Sequence, residues 1–325
     1  MLATRLHHRT QTWATPLAAA LTLLAACATP ATQAPRVPDD PFVVVLGTAQ
    51  DGGYPQAGTP PGPAWEPERR RYAASLGLVD PATGERWLFE ATPDFREQLH
   101  AFDRVAPGKG AAPALTGIFL THAHVGHYAG LIHIGHEIIG ARAVPVHAMP
   151  RMREFLSAHG PWDQLVRFGN IELRDLEDGV TVRLNERLSV TAFRVPHRDE
   201  YSETVGFRIT GPSRTVIFLP DIDKWERWDA LGTRIEDVVA GADVAYLDAT
   251  FYRDGEVPGR AMSEIAHPFI EETMRRFAGA TASERAKIRF IHLNRTNPAA
   301  FDGPERSAVE RAGFRIARML EVVPL

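Results

Sequence analysis

From residue 41 onward the chain alternates short apolar runs with polar breaks marked by glycine or proline. Apolar, β-branched runs of this length read as strands. They fall at 42–47 (FVVVLG), 73–79, 86–91, 116–122, 188–195, 204–210, 214–221, 243–251 and 287–293. Helical spacing of apolar residues appears at 93–102 (PDFREQLHAF), 128–140 (YAGLIHIGHEIIG) and 268–278 (PFIEETMRRFA). A last helix is expected near Asp302, with Pro304 in its first turn. Strands lead each half and helices alternate with them, without repeat or internal linker. The pattern predicts an α/β domain, two sheets packed face to face with helices outside.

The first 40 residues follow another pattern. Arg5 and Arg9 precede an apolar run at 16–27 (PLAAALTLLAAC). It is shorter than the ~20 residues of a membrane-spanning helix and suits a secretory signal. Its end, Leu24-Ala25-Ala26-Cys27, is similar to a bacterial lipobox, which implies cleavage before Cys27 and lipidation of that cysteine. The alternative is an ordinary signal peptide cleaved nearby. Residues 1–26 are thus expected to be a leader, 27–40 a Pro/Ala/Thr-rich tether and 41–325 the folded domain. The expected location is the periplasm, anchored to a membrane through Cys27. Ala28 after the cysteine favours the outer membrane, by analogy with such lipoproteins.

Charge and cysteine content narrow the chemistry. The formal net charge is −4. Losing residues 1–26 removes Arg5 and Arg9 and makes it −6. Nothing in that balance argues for a nucleic-acid partner, a local basic groove aside. Cys27 is the sole cysteine, so the domain has no thiol for a disulfide or a thiolate metal site.

The chemistry concentrates in 120–130, LTHAHVGHYAG. At an extended strand end His122 and His124 point to one side, and His127, opening the next helix, can turn toward the same space. Imidazole is a common neutral metal ligand, and several are needed to hold a divalent ion. His197, Asp221 and His292 stand at other strand ends, where rigid strands can converge on one site. Other polar groups have plainer readings. His133, His136 and Glu137 read as helix surface rather than as partners of a metal ligand. His147 ends a strand-like AVPVH. DGGYP at 51–55 reads as a turn beside the site. Arg69, Arg70 and Arg71 read as a solvated face, although they could meet an anionic substrate.

These residues resemble the metallo-β-lactamase superfamily. Its marker is H-x-H-x-D-H after a strand, then a histidine, an aspartate and a histidine at later strand ends. The resemblance implies an αββα four-layer sandwich. It implies a first metal on His122, His124 and His197, and a second on the marker's aspartate, His127 and His292, with Asp221 bridging. Gly126 stands where that aspartate would be.

Longer strings at 45–56 (VLGTAQDGGYPQ), 91–99 (ATPDFREQL), 247–251 (LDATF) and 290–298 (FIHLNRTNP) are similar to the coenzyme PQQ synthesis protein B family. That family carries cysteines after its Gly-rich motif, for a structural zinc; AGTPPGPAWEP (57–67) has none.

The expected activity is that of an exported metallo-hydrolase. A metal-bound hydroxide would attack an ester, lactone, amide or phosphoester of a small molecule. Zinc is the expected metal, one or two ions, with iron or manganese as alternatives. His267 follows LDATF as a histidine does in tRNase Z-like relatives, and is the expected general acid; its plainer reading is a helix-start histidine. Because Gly126 removes a carboxylate, the second ion is expected to be weak, held by His127, Asp221 and His292, and Gly126→Asp to strengthen it. Two other functions fit: a non-haem iron oxidoreductase, and a non-catalytic metal-binding lipoprotein.

Overall fold

The structure, a computed structural model, describes residues 38–325 apart from 260, 263 and 264. The leader, Cys27 and most of the tether lie outside the described residues.

Two seven-stranded sheets form the centre. The first contains β1 (Phe42–Gly47), β2 (Ser75–Asp80), β3 (Glu85–Phe89), β4 (Gly117–Phe119), β5 (Val144–Ala148) and β6 (Ile171–Asp175). The second contains β7 (Thr181–Arg183), β8 (Ser189–Arg194), β9 (Val205–Thr210), β10 (Thr215–Leu219), β11 (Val244–Asp248), β12 (Ile288–Ile291) and β13 (Arg315–Ile316). A final strand, β14 (Val322–Pro324), returns to the first sheet beside β1. The orders are β14-β1-β2-β3-β4-β5-β6 and β13-β12-β11-β10-β9-β8-β7.

The unbroken apolar runs have a simple cause. A strand covered on both faces must be apolar at every position. In β1, Val43 and Val45 pack between the sheets, while Phe42, Val44 and Leu46 pack under the helices of the first sheet. In β11, Val244 and Tyr246 face the other sheet and Ala245 and Leu247 face helices. Three apolar layers therefore separate four structural layers, the αββα sandwich. Phe89, Phe119, Phe207 and Phe218 cluster in the middle layer, with ring centroids 5.1–6.3 Å from Phe89.

The helices are α1 (Phe95–Val105), α2 (Val125–Tyr128), α3 (Pro150–Ala158), α4 (Trp162–Arg167), α5 (Trp225–Ala230), α6 (Ile235–Ala240), α7 (Ile270–Arg276), α8 (Ala282–Arg285) and α9 (Pro304–Arg311). Pro304 does open the last one. The expected helix over 128–140 is instead one turn of α2 followed by a 3₁₀ segment, Ala129–Ile134. Gly130 explains the change. A β-carbon there would lie 2.7 Å from Phe95 Cβ, and the Gly130 amide donates to the Ala91 carbonyl at 2.8 Å. The chain is drawn onto the β3–α1 connection, and Leu131 and Ile134, three apart, become the buried pair.

Candidate metal centre

Strand direction brings the site together. β3, β4 and β5 are mutually parallel, as are β10, β11 and β12. β1 is related to β3, and β8 to β10, by two antiparallel steps, so these also run the same way. The C-terminal ends of β1, β3, β4, β8, β10, β11 and β12 therefore open on one edge of the sandwich. Asp51, Glu90, the His122–His127 cluster, His197, Asp221, Asp248 and His292 lie at or just beyond those ends.

Two donor sets share Asp221. On one side, His122 Nε2 is 2.8 Å from His124 Nδ1, and His197 Nε2 lies 3.7 Å from Asp221 Oδ1. On the other, His127 Nε2 is 2.9 Å and His292 Nε2 3.2 Å from Asp221 Oδ2. Asp51 Oδ1 completes this second set, 3.2 Å from His127 Nε2 and 3.5 Å from His292 Nε2. Donor atoms of His122, His124 and His197, and those of Asp51, His127 and His292, lie within 4.8 Å of one another in each group.

At the second site, expected to lack a carboxylate, the structure places one. Gly126 does not leave a gap; it makes room. A β-carbon on Gly126 would sit 2.5 Å from Asp51 Cα and 2.7 Å from Asp51 Cβ, closer than non-bonded carbons approach. The carboxylate absent from the helix is supplied by the β1 loop, and only glycine at 126 lets that loop pass. The turn is fastened in place. The Gln50 amide donates to the Leu293 carbonyl at 2.9 Å, Gly53 donates to Gln50, and Gly53 has φ 66°. DGG thus serves the site as well as the turn. Asp51 stands four residues beyond the end of β1, in a glycine-rich turn that hides its kinship with the other strand-end groups.

Outer partners fix the imidazoles. His197 Nδ1–H donates to Asp223 Oδ1 (3.2 Å), which Arg227 holds in turn. His292 Nδ1–H donates to Thr250 Oγ1 (3.0 Å), whose hydroxyl donates to Asp248 Oδ1 (2.8 Å). His122 Nδ1–H donates to Thr121 Oγ1 (2.8 Å), and His124 Nε2–H to Glu200 Oε2 (2.9 Å). Each arrangement leaves the opposite nitrogen's lone pair facing the centre. Glu90, fully buried, lies 3.6 Å from His127 Nδ1. Glu90 and His292 have positive φ, 75° and 65°, strain of the kind that sites retain.

The electrostatics and the orphaned atoms fit a divalent cation. Burial would raise the carboxyl of Asp221, but His292 and His127 outweigh it and hold it ionised. Burial likewise opposes the ionisation of Asp51, and His127 and His292 again prevail. Burial, then the nearby His127 charge, keeps His122 neutral. His127 overcomes its own burial because Asp221 and Glu90 draw a positive charge onto it; a divalent ion answers the same demand. Buried atoms without a hydrogen-bond partner include Asp51 Oδ1, His127 Nε2, His197 Nε2, Asp221 Oδ2 and His292 Nε2. Five orphaned donors aimed at one space are costly unless a cation meets them.

His267 joins the edge from the loop before α7. Its Nδ1 is 2.7 Å from Asp248 Oδ2 and 3.6 Å from Asp221 Oδ1. Burial would lower its pKa, but the Asp248 charge and hydrogen bond prevail and push it up to about 9. His133 stacks on Phe95 (5.8 Å between ring centroids) and His136 lies beside Phe168 (6.0 Å). Neither they nor Glu137 are among the clustered donors. Sequence reasoning missed Asp51, Glu90, Asp223, Asp248 and Thr250. Glu90 and Asp248 each close an apolar strand, the same cue that singled out Asp221.

The Beta-lactamase superfamily domain family model matches residues 85–292, and the chain belongs to that family. Within it, the chain is similar to coenzyme PQQ synthesis protein B. It is 28% identical to that protein of Xanthomonas oryzae pv. oryzae (strain MAFF 311018) over 307 residues, covering 85% of this chain and 97% of the relative. Zn(2+)-bound PqqB from Methylobacterium extorquens shares the fold, with a TM-score of 0.72 at 24% identity, covering 87% of this chain and all of that one. A diphosphatase from the PhnP family superposes with a TM-score of 0.60 at 18% identity, covering 88% and 97%.

Proposed function

We propose that this protein is a metal-dependent hydrolase of a small anionic or polar substrate, holding two divalent ions, zinc foremost. The carrying observation is the division of Asp221, one oxygen toward His197 and the other toward His127 and His292. His122, His124 and His197 would hold one ion, Asp51, His127 and His292 the other, and Asp221 both. Such ions lower the pKa of water and polarise the bond to be broken. The chain's own residues orient and protonate. Asp223 and Thr250 hold His197 and His292 in register. His267 gives its Nδ1–H to Asp248, so its Nε2–H is the proton left for a leaving group, and its raised pKa keeps that proton on at neutral pH.

Elemental analysis paired with ester, lactone, amide and phosphodiester substrates tests this reading. Close to two ions per chain and turnover of at least one class are expected. His124→Ala should lose one ion and lower turnover at least ~100-fold; an unaffected variant would sink the proposal. A second reading is a non-haem iron oxidoreductase, since imidazole and carboxylate donors also suit iron. It is supported by the similarity to a coenzyme synthesis protein. Iron in the isolated protein, with oxygen uptake and no hydrolysis, would select it.

The same proposal places the domain in the periplasm, tethered by lipid on Cys27, on the strength of the apolar run 16–27 and its Leu-Ala-Ala-Cys end. Labelled palmitate should enter the wild-type chain in cells but not Cys27→Ser. Equal labelling, or none in either, would refute lipidation.

A further inference from the structure

A second concave site has a lining of its own, distinct from the metal-donor groups. It is a cavity of about 520 Å³ lined by Arg69, Arg71, Arg306, Arg318 and Phe301 against one carboxylate, Asp302, with Leu293 and Ile316 in its apolar wall. The volume falls within the range of small-molecule pockets. None of the clustered metal donors lines it.

The four guanidinium groups are unequally neutralised. Arg306 and Arg318 share Glu310, at 3.3 and 3.4 Å, and Arg306 also lies 3.7 Å from Asp302. Arg71 donates to the carbonyls of Glu68 and Arg70, at 2.7 and 2.8 Å, which holds the side chain without cancelling its charge. Among the described residues neither Arg69 nor Arg71 has a carboxylate within ion-pair distance. Instead both lie over the Phe301 ring, 4.3 and 5.2 Å from its centroid. A cation–π contact fixes an arginine and leaves its hydrogen-bond donors available. Burial, then the charges of Arg306 and Arg69, work against protonation of Arg71 and outweigh the opposing charge of Asp302, so the like charges are held together at a cost. A solvated arginine face would spread apart; this one is concave and clamped on an aromatic ring.

We propose that this cavity binds a small organic anion with two or more carboxylate or phosphate groups, its charged ends on Arg69 and Arg71 and its carbon frame against Leu293 and Ile316. The bidentate match of guanidinium to carboxylate or phosphate supplies the recognition. The proposal is independent of the hydrolytic reading.

Calorimetry on the metal-loaded full chain tests it, with benzene-1,3,5-tricarboxylate and fructose 1,6-bisphosphate as separate probes. At least one should bind one per chain, with Kd on the order of micromolar at low salt, and weaken as salt rises. Arg69→Gln should weaken it at least ~10-fold and Arg69→Gln/Arg71→Gln abolish it, with metal content and turnover unchanged. Should the double variant not fold, Arg69→Gln and Arg318→Gln, both at exposed positions, carry the test. No binding at millimolar probe overturns the proposal. So does binding that survives the arginine changes but is lost in His124→Ala, which would put the anion on the metal centre. Equal binding of the uncharged tricarboxamide also overturns it.

Discussion

At the scale of single residues, position 126 reverses its meaning between one dimension and three. In sequence the glycine is a missing ligand. In the structure it is the clearance through which Asp51 enters, since a β-carbon there would fall 2.5 Å from Asp51 Cα. Gly126→Asp is therefore expected to expel Asp51 rather than strengthen the second site. Occupancy should fall toward one ion per chain, and Asp51→Ala should do the same; elemental analysis after dialysis reads both. A rise in occupancy for Gly126→Asp would show that Asp51 does not take the ligand position. His122, His124, His127, His197, Asp221 and His292 were all legible in the sequence, because each follows a run whose strand character is unmistakable. Asp51 was not, because its loop is rich in glycine and reads as a turn. Proximity to His127 and His292, distant in sequence, gives it a role.

At the scale of elements, β5 carries a titration that belongs to packing and not to the site. His147 stacks on Phe119 of β4, with centroids 4.3 Å apart and planes 7° from parallel, and its buried Nδ1 has no hydrogen-bond partner. Burial, then Arg174, lowers its pKa to about 4 from 6.5. Between those values the unfolded chain binds the proton and the folded chain does not, so acid favours unfolding. Stability should fall as pH drops from about 6.5 to about 4 and lose nothing more from this group below that, a contribution of up to ~3 kcal/mol. His147→Leu should flatten part of the decline in melting temperature between pH 7 and 4.5 relative to wild type. Identical slopes would remove His147 from the account. Strands covered on both faces were well read in the sequence because they need apolar residues throughout; the partly exposed β6 and β7 and the short β13 and β14 were not read. The segment after His127 was misread, because its apolar spacing fits a helix and only the contact of Gly130 with the β3–α1 connection imposes the 3₁₀ path.

At the scale of the whole molecule, the metal centre lies where two sheets meet, with ligands from both. His122, His124, His127 and Asp51 extend from the first sheet; His197, Asp221 and His292 extend from the second. Ions held there would cross-link the sandwich. Chelation should lower the melting temperature, since an ion at 100 times its Kd stabilises the fold by ~2.7 kcal/mol. Restoring zinc should recover it, and scanning calorimetry checks both. An unchanged melting temperature on complete metal removal would mean the ions do not bridge the sheets.

The sequence by itself determined the layers of the domain and six of the seven candidate metal ligands, because continuous apolar runs and strand-end position are local properties written in residue type. The tertiary structure alone decided three matters. It joined Asp51 to His127 and His292, made Gly126 a clearance rather than a loss, and gathered Arg69 and Arg71 with Arg306 and Arg318 around Phe301. Each depends on groups far apart along the chain meeting across packed sheets, and residue type carries no record of such distances.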